Sequence, residues 1–510
     1  MNKKALLFIC FVFCLVFSWS ESFKIGQVEY EISGITMKSA LEREVPIDTN
    51  RIFNSEEELN QYLIGLEGKF TNLRVFDAVE ISITSIEKKD DYSNVSILVY
   101  IKDSWNIMGM PYPSFDSNTG LKLKLKIKDY NFFGSLKEFE FAVDYEYALE
   151  NSSNYINLNF KVPFPSFKIL TVDTAFLLDF DLSYAVDDLA PGYRTGQSLV
   201  LSKKINNTVG INFAVKNDLY VLPTVEDIFY FEDTISLSFP INLTSENSFN
   251  LVWKPNINFN FIWNFEGPNK DIYRDVSSNQ IHSSALIFGH NISSNQIDWL
   301  NNFKNGYSFS IDQLFSYKLK TNLFTQTLNV TSKEFKAFNQ NIALYAQQQL
   351  ILNIDGLNTE YGNLLRGIKN SLYETNSTLV LNFDLPIKAL QTDWVSFFDF
   401  FGLDWKWTRV LDFELQINPF FDMALGYNIN TGTTYLLRDG YYSNGFELLL
   451  FPNKMKSITG RVSLGFDTVK TLEKIGNKSQ FVDKITHQLF NTEWRDGTAW
   501  ELFIGVGLFY

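Results

Sequence analysis

The sequence predicts a mainly β chain: an antiparallel transmembrane β-barrel of about sixteen strands, preceded by one small α/β domain. Three observations carry that prediction. From about Thr119 onward, segments alternating apolar and polar residues follow one another to the end of the chain. No segment after the first residues is apolar for long enough to form a spanning helix, yet aromatic residues make up 16% of the chain. The last strand-like segment, Trp500 to Tyr510, ends on an aromatic residue.

The chain opens like a secretory signal over residues 1–20. Lys3 and Lys4 precede an apolar run from Ala5 to Phe17, and Ser18-Trp19-Ser20 forms a small-x-small cleavage site. The run is short of the roughly 20 apolar residues that a retained membrane helix needs. Both cysteines, Cys10 and Cys14, lie inside it, so the mature chain is expected to have neither a disulfide nor a thiolate ligand.

Residues 23–103 read as the α/β domain. Val28, Tyr30 and Ile32 alternate with Gln27, Glu29 and Glu31, the pattern of a half-buried strand. Asn54-Ser55 followed by Glu58 is a capping-box arrangement, after which Leu59, Tyr62, Leu63, Leu66, Phe70 and Leu73 fall on one helical face. Two further alternating segments follow, Val79-Ile81-Ile83 and Val95-Ile97-Val99-Ile101. Residues 104–118 read as a linker and 119–510 as the barrel.

In the barrel, Leu121, Leu123, Leu125 and Ile127 alternate with Lys122, Lys124, Lys126 and Lys128. A strand aliphatic on one face and cationic on the other suits a barrel wall, with lipid outside and water inside. Strands are expected at 119–130, 135–148, 153–164, 168–184, 194–205, 207–220, 231–243, 248–264, 281–291, 304–320, 336–353, 374–388, 409–427, 437–452, 456–468 and 498–510. Both termini then face one side, with short joins such as 163–165 and 451–453 there and longer stretches such as 265–280 and 354–373 opposite. The long join 389–408 is crowded with Phe397, Phe398, Phe400, Phe401, Trp405 and Trp407, and reads as an interfacial aromatic segment.

With Leu73-Arg74-Val75-Phe76-Asp77-Ala78-Val79 leading into a strand, the first domain resembles a single POTRA domain. POTRA-like domain and barrel together resemble the outer-membrane protein assembly and translocation superfamily of BamA, TamA and the two-partner secretion transporters. Asp129-Tyr130-Asn131-Phe132-Phe133-Gly134 looks like the family's join between the first two strands, with Leu136 where a second glycine is common. Leu365-Arg366-Gly367-Ile368 looks like the tip of the family's lumen loop, before the twelfth strand, with Ile368 where an aromatic residue is usual.

Asn382-Phe383-Asp384-Leu385-Pro386 is similar to the strand end after that loop. Phe420-Phe421-Asp422-Met423-Ala424 is similar to a Phe-x-Asp-x-Gly strand, with Ala424 for the glycine. The resemblance implies that Arg366 pairs with Asp422. Gly505, Leu508 and Tyr510 fall where the carboxy-terminal signal of outer-membrane barrels lies, and Gly505 and Gly507 would weaken a closing seam between 119–130 and 498–510.

The resemblance further implies a bacterial outer-membrane location with the first domain in the periplasm. It implies work on outer-membrane or secreted client polypeptides by strand addition and lateral opening. Periplasmic chaperones or accessory lipoproteins and the lipid bilayer complete the expected partners. The alternatives are a secretion pore for one partner protein and a passive channel or surface antigen.

No catalytic constellation is visible, so no enzyme activity, cofactor or metal is expected. His282, His290 and His487 lack metal-ligand spacing, and there is neither a Gly-x-Ser-x-Gly elbow nor a phosphate-binding loop. A net charge of -14 argues against a nucleic-acid partner.

Overall fold

In the computed structural model, the described residues are 22–89, 92–116, 120–148, 154–186, 192–206, 208–222, 228–244, 250–266, 284–319, 322–354, 358–428, 431–454, 459–492 and 500–507. The expected signal segment, His282, Leu508 and Tyr510 lie outside them. The chain divides into two compact units, Met1–Trp105 and Asn106–Tyr510.

The first unit contains β1 (Phe23–Ser33), α1 (Lys38–Glu44), β2 (Ile52–Phe53), α2 (Glu56–Asn72), β3 (Phe76–Lys88) and β4 (Ser93–Asp103). Its sheet order is β2-β1-β4-β3, with β1 parallel and β3 antiparallel to β4. Strict alternation along β4 buries Val95, Ile97, Val99 and Ile101 beneath α2, which contributes Leu59, Leu63, Leu66 and Phe70. At the start of α2 the Glu58 amide donates to Ser55 Oγ (3.1 Å), and Glu58 Oε2 accepts from the Asn54 amide (2.9 Å).

The Asn54 amide, and then Arg51, hold the Glu58 carboxyl below the usual carboxylate range. The stability this adds is present above the ordinary glutamate pKa and is lost as pH falls through the depressed one.

The second unit is a closed antiparallel barrel. Its staves are β5 (Ile107–Asp116), β6 (Gly120–Asp129), β7 (Phe139–Ala148), β8 (Asn154–Pro163), β9 (Val172–Ala185) and β10 (Gly192–Lys204). They continue as β11 (Gly210–Leu222), β12 (Ile228–Ser238), β13 (Val252–Glu266), β14 (Ala285–Leu300), β15 (Phe303–Lys318) and β16 (Leu323–Ala337). The last six are β17 (Ala343–Asn353), β18 (Ser377–Asp384), β19 (Phe413–Gly426), β20 (Tyr441–Pro452), β21 (Gly460–Asp467) and β22 (Trp500–Val506). Short segments at Phe167–Ile169, Ile241–Asn242 and Ile387–Gln391 prolong individual staves.

Among the described residues the barrel therefore has eighteen staves, not sixteen. Residues 104–118 are not a linker, because β5 lies there and pairs with β6 along its whole length. Pro111 and Pro113 disguised it, since proline is rare within sheets. The other missed stave, β16, interrupts its apolar face with Gln326, Ser332 and Glu334.

Two missed staves leave the parity of the total even, so the chain enters and leaves the barrel at one end. The joins after β8 and β20 lie at that end, and the stretch between β17 and β18 lies at the other. The 129–134 join connects the second and third staves, and the Leu365–Ile368 segment precedes the fourteenth. The seam is between β5 and β22.

Outward positions are apolar and exposed, as with Leu121, Leu123, Leu125, Phe383, Ile417, Phe421, Phe446, Leu448 and Ile504. Inward, the lysines of β6 meet acids of β7: Lys122 with Glu146 (2.9 Å), Lys124 with Asp144 (3.6 Å) and Lys126 with Glu140 (2.6 Å). Part of the chain's acidity thus sits on the wall itself. The aromatic join after β18 forms α3 (Trp394–Phe400) and a 3-10 turn at Lys406–Leu411. Phe400 (85%), Phe401 (61%) and Trp407 (62%) on it are open to the surroundings.

Replacing Ser55 with alanine removes the α2 cap and should cost about 1 kcal/mol. Hydrogen exchange at the Glu58 amide should then be roughly five-fold faster, and unchanged exchange would exclude the cap.

Candidate functional site

The segment between β17 and β18 folds back into the barrel. Thr359–Glu360 pairs with Glu374–Thr375 as a short neck, and the Tyr361 amide donates to the Tyr373 carbonyl (2.8 Å). Below the neck, turns at Gly362–Leu364 and Asn370–Leu372 shape the tip that carries Leu365, Arg366, Gly367 and Ile368.

Arg366 is 5% exposed and is held by the wall at every face of its guanidinium. Its Nε donates to Asp422 Oδ2 (3.0 Å) and its Nη2 to Asp422 Oδ1 (2.6 Å), a two-point fork. The backbone amide of Arg366 also donates to Asp422 Oδ2 (2.9 Å). Its Nη1 donates to Asp384 Oδ1 (2.7 Å) and lies 3.4 Å from Glu447 Oε2. Asn418 Nδ2 bridges the same two carboxylates, at 2.8 and 2.9 Å. The guanidinium stacks over the Phe420 ring, 3.8 Å from its centroid.

Strand parity explains how these groups converge. On β19, Asn418, Phe420, Asp422 and Ala424 all point inward and are buried. On β18 and β20, the same inward parity gives Asp384 and Glu447. In register, Asp384 stands beside Phe420, Phe420 beside Gly445, Gly445 beside Gly465, and Gly465 beside Glu501.

The two glycines make a trough in this row. A Cβ on Gly445 would meet the Phe420 ring at 2.6 Å, and one on Gly465 would meet the Arg366 carbonyl carbon and the Gly367 nitrogen at 2.6 Å. Gly367, at φ +97°, likewise has no room for a side chain against the Phe466 backbone. Its amide donates to Glu501 Oε2 (2.9 Å), linking the loop tip to the last stave.

Leu365 and Ile368 pack with Tyr373, Val380, Ala424 and Tyr441 in one apolar cluster. Ile368 on the loop and Ala424 on the wall thus meet in one cluster.

The other predicted residues lie elsewhere. At the 129–134 join, the Asn131 amide donates to Asp129 Oδ1 (2.9 Å), and Asn131 Oδ1 accepts from the Leu136 amide (3.0 Å). Gly134 has φ +71°, and Leu136 (φ +56°) takes up a left-handed conformation that glycine would adopt without strain. On β22, Gly505 leaves space for the Phe503 ring, which the Arg461 guanidinium covers at 4.1 Å. Gly507 has φ +107°.

Sequence reasoning gave no role to Glu447, Gly445, Gly465 or Glu501, placed Phe420 only in the strand motif of Asp422, and assigned Asp384 only to a strand end. An inward-parity reading of β20 and β21 could have found the glycines. No group of metal-ligating side chains occurs among the described residues.

Scans against protein-family models and against curated proteins find no match. Among solved structures, BamA from Haemophilus ducreyi lacking POTRA domains 1–3 aligns over 95% of this chain and 85% of its own, with 13% identity and a TM-score of 0.39. CdiB from Acinetobacter baumannii aligns over 95% and 73%, with 10% identity and a TM-score of 0.49. CdiB from Escherichia coli aligns over 94% and 76%, with 11% identity and a TM-score of 0.47. Likenesses this distant carry no weight for function, which rests on this chain's own geometry.

Replacing Arg366 with alanine leaves three buried carboxylates facing one another and should destabilise the barrel by about 3–5 kcal/mol. Lysine, which keeps the charge and loses the fork, should fall between. The readout is the temperature at which the folded band is lost on a gel, and parental stability in the alanine variant would exclude the anchor. Gly465→Ala should displace the tip, seen as faster proteolysis within 358–373 under conditions that leave the barrel intact.

Proposed function

We propose that this protein resides in a bacterial outer membrane and assembles or translocates other polypeptides there. The observation that carries the reading is the loop tip locked through Arg366 into the lumen of a closed barrel, beside the seam between its first and last staves. The exposed apolar wall meets lipid, and the aromatic join around α3 rests at the membrane interface. The first unit is read as a POTRA-like periplasmic domain, whose sheet order leaves β3 at an edge where an extended client can add.

Strand addition at the barrel itself would follow from the seam. Among the described residues, β5 and β22 pair only through Phe503↔Asp116 and Ile504↔Phe115. By contrast, β22 pairs with β21 from Phe466↔Trp500 to Gly460↔Val506. A short pairing is cheap to open, and a client strand would satisfy the exposed backbone groups that lipid cannot. The contact between Gly367 and Glu501 lets the loop tip brace the strand that would move. A seated loop also narrows the lumen, which favours this reading over a passive channel.

Depleting the protein and quantifying all outer-membrane and secreted proteins should show loss of barrel proteins or of secreted clients. Unaltered levels of both would overturn the proposal and favour the channel or surface-antigen alternative.

A further inference from the structure

The hairpin of β14 and β15, the tenth and eleventh staves, outruns both of its neighbours. Its own ladder is unbroken down to Leu300↔Phe303, around the two-residue turn Asn301-Asn302, with Asn301 at φ +57°. Among the described residues, pairing with β13 stops at Val252↔Ser293 and pairing with β16 stops at Gly306↔Phe335. Residues 294–305 thus form a two-stranded ribbon that belongs to neither adjoining ladder. By stave order its turn lies at the end where the chain enters the barrel, opposite the end from which the Arg366 loop descends.

The ribbon turns inward rather than prolonging the wall. Phe303 is fully buried, packed with Phe335, Ala343 and Tyr345. The Lys304 amide donates to Tyr345 Oη on β17 (2.8 Å). The Asn302 carbonyl accepts from Gln416 Nε2 (3.4 Å) on β19, four staves from β15. Gln416 is buried and shares the inward parity of Asn418 and Asp422, so the turn meets it on the lumen side. The departure falls at Gly306, whose φ is +118° and where a Cβ would meet the Gln296 carbonyl oxygen at 1.9 Å.

Ribbon and loop converge on one row. In register, Gly306 stands beside Phe335, Phe335 beside Tyr345, and Tyr345 beside Asp384, the carboxylate that accepts from Arg366 Nη1. The ribbon takes the Tyr345 side of this row, and the loop tip takes the side that runs from Asp384 to Glu501. Charge pairs such as those of Arg366 are stronger where water is kept away.

We propose that the 294–305 ribbon is a built-in strap that narrows the entry-end mouth of the lumen and shields the underside of the Arg366 cage from water. Its anchors are the Phe303 side chain and the hydrogen bonds to Tyr345 and Gln416. Gly306 is the point at which it leaves the wall. The strap is independent of whether the protein handles client polypeptides.

The test shortens the hairpin in the full-length protein. Replacing residues 297–306 with Asn-Gly closes it at Gln296↔Tyr307 and keeps every pair from there to Ala285↔Lys318. Cys10 and Cys14 lie in the expected signal segment, so Ala343→Cys, placed beneath Phe303, supplies the single thiol of the mature chain. A charged maleimide should label this thiol slowly under the full hairpin and several-fold faster under the shortened one. Equal rates overturn the shielding. Steady potassium chloride conductance through single molecules in planar bilayers should also rise on shortening, and an unchanged value overturns the narrowing.

A second measurement leaves the hairpin intact. Tyr345→Phe removes the acceptor of the Lys304 amide, whose hydrogen exchange should quicken on the order of five-fold. Unchanged exchange overturns the inward seating of the strap.

Discussion

A guanidinium out of water persists only when carboxylates surround it, and the interior of this barrel is organised around meeting that demand for Arg366. Asp422 supplies a two-point fork, Asp384 and Glu447 close the remaining side, and Phe420 lies beneath. These groups come from three consecutive staves, so the loop that carries Arg366 ties β18, β19 and β20 together. The backbone can reach them only because Gly445 and Gly465 open a trough in the wall, and because Gly367 tolerates the close approach. Altering the ion pair, the trough or the left-handed glycine acts on one assembly.

That locked region adjoins the seam between β5 and β22. Moving from β19 through β20 and β21 to β22, the wall passes from buried ionic anchoring to a seam with two register pairs among the described residues. The loop tip spans both regimes, since Arg366 is fixed to β19 and the next residue donates to Glu501 on β22.

The wall presents two chemistries through a single periodicity. Alternate residues of β6 are aliphatic and exposed outward, while the lysines between them face acids of β7. Lys122, Lys124 and Lys126 are each matched by an acid on the adjoining stave. The aromatic join at α3 extends the apolar exterior beyond the staves.

The sequence by itself determined the periodicity and the faces of the strands whose alternation is plain, and the cap of α2. All of these follow from local alternation or from a short motif. It also marked the glycine-weakened last strand, but put its partner at 119–130. Only the tertiary structure decided that β5 and β16 are staves, because proline and scattered polar residues hide a strand whose neighbours supply its pairing. It likewise decided that Asp384, Glu447, Gly465 and Glu501 meet the loop tip, and that Gly445 lies against the Phe420 ring. Their convergence depends on register across five staves, and register is set by the pairing of segments far apart in the chain, which no single segment encodes.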